Sequence, residues 1–231
     1  MGPEHQRAKA VKFRYLPLAL LVLPSLALPV AHAKASAEAG AAIAATCGAC
    51  HGAAGANSNN PEWPNLAGQN AHYIAHQLHM QHDGMRTSKP GDANPMVMVA
   101  QASALSEQQI DDVSAYFATL APAGLEAPAG SFAVGKKLYH WGDRSKGIPA
   151  CAACHGPVGR GNPAAGYPAL RAQQSVYVLK QLNNYAADMR YTLNDKGASM
   201  GGELATIMHT ISSRLSDDEK ASLAAYVQGM R

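Results

Sequence analysis

Apolar residues recur at helical spacing along much of the chain. Ile110, Val113, Phe117 and Leu120 fall on one helix face, and Leu223, Val227 and Met230 repeat most of that stripe near the C-terminus. Each stripe stands behind a capping-box pair, Ser106 with Gln109 and Ser216 with Glu219, so two well-marked helices are predicted there. Earlier helices are predicted over residues 70–81 and 175–187, and shorter alanine-rich or amphipathic ones over 37–46 and 134–141. Between them lie loops rich in Gly, Pro and Asn. No segment alternates with a period of two, so the expected class is all-α.

The pattern is duplicated. At an offset of 104 residues Pro64 pairs with Pro168, Leu66 with Leu170, Gln69 with Gln173, Tyr73 with Tyr177, Gln77 with Gln181, Leu78 with Leu182 and Arg86 with Arg190. Six residues are then inserted in the second copy. At an offset of 110, Met98 pairs with Met208, Leu105 with Leu215, Ser106 with Ser216 and Tyr116 with Tyr226. The expected organisation is a first domain over 34–120, a Pro/Ala/Gly linker over 121–130 and a second domain over 131–231.

Residues 1–33 read as a cleavable leader. Arg7, Lys9, Lys12 and Arg14 precede an apolar run from Tyr15 to Val30, and Ala31-His32-Ala33 supplies the small residues of a cleavage point after Ala33. Pro17, Pro24 and Pro29 interrupt that run, which argues against a spanning helix. The leader carries the whole formal charge of +3, so the exported chain is close to neutral. Recognition of nucleic acid is therefore not implied.

All four cysteines fall in two pentapeptides, Cys47-Gly48-Ala49-Cys50-His51 and Cys151-Ala152-Ala153-Cys154-His155. This C-x-x-C-H spacing is the attachment signature of c-type haem: two thiols bond the haem edge and the adjacent histidine reaches the iron. A shared zinc site would need pairs about a hundred residues apart to converge, and would leave both histidines unexplained. A redox dithiol expects a βαβ setting. Two covalently bound haem c groups are the expected cofactors, attached at Cys47, Cys50, Cys151 and Cys154, with His51 and His155 as axial ligands. Haem of this type is attached outside the bacterial cytoplasmic membrane, so leader and motifs together point to the periplasm.

The opposite axial position decides the chemistry, because a methionine there favours electron transfer and an open site permits catalysis. Met98 and Met208 both stand seven residues before a Leu-Ser cap, in segments read as loops between helices, and are the candidates. Met96, in the loop-like Asn94-Pro95-Met96, rivals the first; Met200 and Met189 are weaker rivals of the second. Trp63-Pro64-Asn65-Leu66 and Tyr167-Pro168-Ala169-Leu170 follow the motifs at matching distances. A ligating histidine donates its other ring N–H to a fixed acceptor. The carbonyls of Pro64 and Pro168 are the candidates, with Leu66 and Leu170 against the haem faces. His72, His76, His79 and His82 recur at helical intervals, but the second copy has Val176, Lys180, Asn183 and Ala186 there. They read as a solvated helix face.

Taken together, these motifs resemble the cytochrome c4 family over essentially the whole exported chain. The resemblance includes Tyr73/Gln77/Leu78, Tyr177/Gln181/Leu182, and the endings Ala115-Tyr116-Phe117 and Ala225-Tyr226-Val227. It implies two tandem class I cytochrome c domains related by a pseudo-twofold axis, two His/Met haems, and propionates near the domain interface. It also implies an electron shuttle, sometimes membrane-associated, between a quinol-cytochrome c reductase and a haem–copper terminal oxidase. No catalytic residue is expected. An alternative is the electron-accepting haem subunit of a periplasmic dehydrogenase, such as a sulfide-oxidising flavoprotein. A dihaem peroxidase or thiosulfate-oxidising enzyme would need an exchangeable iron ligand, which the paired methionines argue against.

Overall fold

The computed structural model describes Gly2, residues 34–87, Asp92, residues 94–128 and residues 132–231. The leader apart from Gly2 lies outside the described residues, as do Ala33 at its expected cleavage point and the end of the linker.

Among the described residues the first half contains α1 (Ala37–His51), α2 (Ala71–His82), α3 (Asn94–Ala102) and α4 (Glu107–Thr119). The second contains α5 (Ala133–Trp141), α6 (Ala152–His155), α7 (Ser175–Ala186), α8 (Gly202–Ser212) and α9 (Asp217–Gln228). No strand forms among these residues; extended pairing is limited to isolated bridges such as Arg86 with Tyr191. The two expected capping boxes are present at the starts of α4 and α9. In each half the first helix packs on the last, α1 on α4 and α5 on α9.

Glycine permits both crossings. A Cβ on Gly40 would lie 2.0 Å from the Asp112 carbonyl oxygen, and one on Gly135 would lie 2.0 Å from that of Ser222. Behind them the predicted stripes are core. Ile110, Val113 and Phe117 are buried in the first half, and Leu223, Val227 and Met230 in the second. A third, smaller cluster joins the halves, with Met80 and Met85 against Tyr185, Tyr191 and Ala205.

Two features depart from the expectation. Met98 and Met208 lie in helices, α3 and α8, where loops were expected. The β-branched Val97, Val99, Thr206 and Ile207 weaken local helix propensity, and Pro95 suggests a loop although proline is well tolerated in a helix's first turn. Packing of α3 on α2 and of α8 on α7 supplies what propensity does not. The helices before the motifs also differ. α1 continues through the first motif to His51, whereas α5 stops at Trp141 and a loop with a short 3-10 turn over Arg144–Lys146 precedes α6.

Candidate functional site

Each C-x-x-C-H motif occupies the end of a helix, where one turn sets both cysteines and the histidine on neighbouring positions. Gly52 and Gly156 then turn the chain with φ of 83° and 79°, a conformation costly for other residues. The returning segment is anchored identically in both halves. The Gly55 carbonyl accepts the N–H groups of Leu66 and Ala67, at 2.7 and 3.0 Å; the Gly159 carbonyl accepts those of Leu170 and Arg171, at 2.8 and 3.2 Å. This anchor carries Pro64 and Pro168 to the histidines. His51 Nδ1 lies 2.8 Å from the Pro64 carbonyl oxygen, and His155 Nδ1 lies 3.0 Å from that of Pro168. Leu66 and Cys47 pack on the first half's apolar cluster, and Leu170 and Cys151 on the second's.

Both rings are buried, and burial lowers their pKa values against the opposing pull of the proline carbonyls. At neutral pH the rings are thus neutral, with Nδ1–H donated to the carbonyl and the Nε2 lone pair available to a metal. Burial raises the Cys47 thiol and pushes Cys151 up to about 11. Redox-active C-x-x-C pairs carry a thiol of lowered pKa, the opposite direction to Cys47 and Cys151. None of the four cysteines is in a disulfide. This donor set, two thiols with a neutral imidazole of fixed tautomer, fits covalent haem.

Met98 and Met208 are half-buried, and neither belongs to an apolar cluster among the described residues. Met96 is 69% exposed, and Met189 and Met200 are also exposed. Two hydrogen bonds invisible to local pattern steady the helices that carry the methionine pair. Trp63 Nε1–H donates to Asn94 Oδ1 at the start of α3 (3.1 Å), and His209 Nδ1 meets the Tyr185 carbonyl (2.8 Å), which ties α8 to α7.

The four histidines of α2 are spread along the helix, and two of them face carboxylates. His79 lies 3.6 Å from Glu107 and His82 2.9 Å from Asp83. Among the described residues no three His, Cys, Asp or Glu side chains converge on one metal position.

The pairing of repeat mates extends to the junction of the halves. Arg86 donates to Tyr177 and Gln181 of the second half (3.3 and 3.2 Å), and Arg190 donates to Tyr73 and Gln77 of the first (2.9 and 3.3 Å). Arg190 is 2% exposed and its Nη1 has no hydrogen-bond partner among the described residues. Burial would raise the Tyr191 phenol, but the guanidinium groups of Arg190 and Arg86 bring it down to about 8. No carboxylate pairs with either arginine among the described residues, so the cluster carries an unbalanced positive charge.

The sequence model of the family described as Cytochrome c matches residues 37–121 and again 132–231. The chain is 38% identical to cytochrome c4 of Pseudomonas aeruginosa over 201 residues, which is 87% of this chain and 92% of that one. The chain belongs to the cytochrome c4 family. A solved relative, reduced recombinant cytochrome c4 from Pseudomonas stutzeri, superposes with a TM-score of 0.72 at 32% identity, covering 85% of this chain and all of that one. The chain is also 35% identical to the thiosulfate dehydrogenase electron acceptor of Thiomonas intermedia, over 80% of this chain and 78% of that one. It is accordingly a dihaem electron-transfer cytochrome of two tandem cytochrome c domains, with haem c bound at the Cys47/Cys50 and Cys151/Cys154 motifs.

Proposed function

We propose that this chain is a periplasmic electron carrier, not an enzyme, with His51 and Met98 closing one iron and His155 and Met208 the other. The carrying observation is the matched methionine pair. Both lie on helices at repeat-equivalent positions, half-buried, while their rivals point to solvent. Haem iron supplies one-electron chemistry by cycling between ferrous and ferric. The chain's residues do the rest. His51 and His155 would ligate the iron in a fixed orientation, Pro64 and Pro168 keep their Nδ1 protons engaged, and Leu66 and Leu170 would pack against the haems. Arg86 and Arg190 supply the positive charge that propionates at the junction would need, and the unpartnered Nη1 of Arg190 suits a carboxylate.

Held by these residues, the haem would have no open site for a substrate, and would supply electron exchange with a docked protein. The donor and acceptor we propose are a quinol-cytochrome c reductase and a haem–copper terminal oxidase. The near-neutral exported chain suits brief docking without one dominant charged patch. No helix among the described residues is long and apolar enough to span a membrane.

The likeness to a thiosulfate dehydrogenase electron acceptor favours a second reading, in which the donor is a periplasmic dehydrogenase. The same ligands serve both. Carbon monoxide added to the fully reduced protein tests what they share: the Soret band of neither haem should change. Uptake at one haem in the unmodified protein overturns the carrier reading. Reduction rates with each purified donor then separate the two partners.

A further inference from the structure

The two glutamines paired by the repeat, Gln69 and Gln173, each reach across the junction to the backbone N–H and carbonyl of one particular residue of the other half. Gln173 Oε1 accepts the Asn65 N–H (2.8 Å) and its Nε2 donates to the Asn65 carbonyl (2.9 Å). Gln69 Oε1 accepts the Ala169 N–H (2.8 Å) and its Nε2 donates to the Ala169 carbonyl (2.9 Å). The Asn65 N–H belongs to the same peptide group as the Pro64 carbonyl, and the Ala169 N–H to the same group as the Pro168 carbonyl. Those are the carbonyls that face His51 and His155. Each histidine is therefore linked through one peptide to a glutamine of the opposite half.

A peptide group is a single conjugated dipole, so a hydrogen bond on its N–H increases the negative charge on its oxygen. A more negative Pro64 oxygen draws harder on the Nδ1 proton of His51, which makes the imidazole a stronger donor to iron and favours the ferric state. Gln173 and Asn65 are both buried, so water does not compete for the link. Gln173 is also held in place, because its Oε1 accepts the Gln174 N–H at 3.0 Å; Asn70 N–H does the same for Gln69 at 2.9 Å.

We propose that Gln69 and Gln173 are positioning residues for the axial histidine of the opposite domain, so that each haem's potential is set partly by its neighbour's domain. The inference rests on the ligand assignment above and adds a cross-domain link to it. Adhesion of the halves does not require this arrangement. Gln174 Nε2 also crosses the junction, to the Ser58 carbonyl at 3.1 Å, without touching either proline peptide.

The test uses the haem-loaded protein, with the midpoint of each haem followed through its own assigned hyperfine-shifted NMR resonances. Gln173→Leu should raise the midpoint of the haem at Cys47/Cys50, move the Nδ1 proton of His51 upfield, and leave the haem at Cys151/Cys154 unchanged. Gln69→Leu should do the converse, and because Gln69 is less buried it serves if Gln173→Leu does not fold. Gln174→Ala should weaken the junction without moving either midpoint. Equal shifts at both haems, a shift confined to the variant's own domain, or an equal shift in Gln174→Ala would overturn the proposal. A protein that excludes carbon monoxide but keeps both midpoints in the glutamine variants refutes the link while leaving the carrier reading intact.

Discussion

His51 and His155, the axial histidines proposed above, are each held at the second nitrogen by a backbone carbonyl that no side-chain substitution removes. The ligands proposed for the opposite side, Met98 and Met208, are side chains, and so are open to direct test. Met98→Ala and Met208→Ala should each create one five-coordinate ferrous haem, so each variant binds about one carbon monoxide per chain, whereas Met96→Ala binds none. The contrast follows from burial: Met98 is half-buried on α3, and Met96, two residues or about 200° round the same helix, is 69% exposed. Uptake by Met96→Ala instead would transfer the ligand role to Met96. Soret difference spectra of the reduced variants read the outcome.

At the scale of elements, the capping boxes and glycine crossings determine how firmly each half holds its motif. Ser106→Ala removes the acceptor for the Gln109 N–H and should cost about 1 kcal/mol. Gly40→Ala forces a methyl group into the Asp112 backbone where α1 meets α4, and should cost about 1–3 kcal/mol. Denaturant midpoints, with unchanged slopes, measure both. The capping boxes and the apolar stripes were legible in the sequence because their logic spans only a few residues. The haem motifs were legible because covalent attachment needs a fixed spacing. α3 and α8 were not, since Pro95, Val97 and Thr206 mask helices that tertiary packing stabilises. Gly40 and Gly135 were not either. Their need arises only when a helix more than seventy residues away is brought alongside. Gln69, Gln173, Arg86 and Arg190 stood out as repeat mates, but their partners across the junction required the folded chain to be seen.

At the scale of the molecule, each half closes an apolar core of its own, and the junction depends heavily on polar contacts in register. Lys180 adds ion pairs across that junction. From α7 it reaches Asp92 at 2.6 Å and Glu62 at 3.0 Å, both in the first half. Burial works against the ammonium, but the carboxylates of Asp92 and Glu62 more than reverse it and hold the amine above its ordinary value. The side chain of Asp92 is 5% exposed and that of Lys180 14%, so screening by solvent is weak. Lys180→Met should therefore destabilise the protein by about 1.5–3 kcal/mol, the range of a charge-assisted hydrogen bond. The pH dependence has a definite sign. A base whose pKa is raised on folding contributes its full stabilisation below its unfolded value, about 10.4, and loses it as pH rises through the folded value. The stability difference between wild type and Lys180→Met should thus stay constant from neutral pH to about 10 and shrink above it. Urea unfolding of both proteins at pH 7, 9 and 11 measures it. A difference that persists undiminished at pH 11, beyond what the raised amine explains, would assign the loss to packing of the lysine stem instead of to its charge.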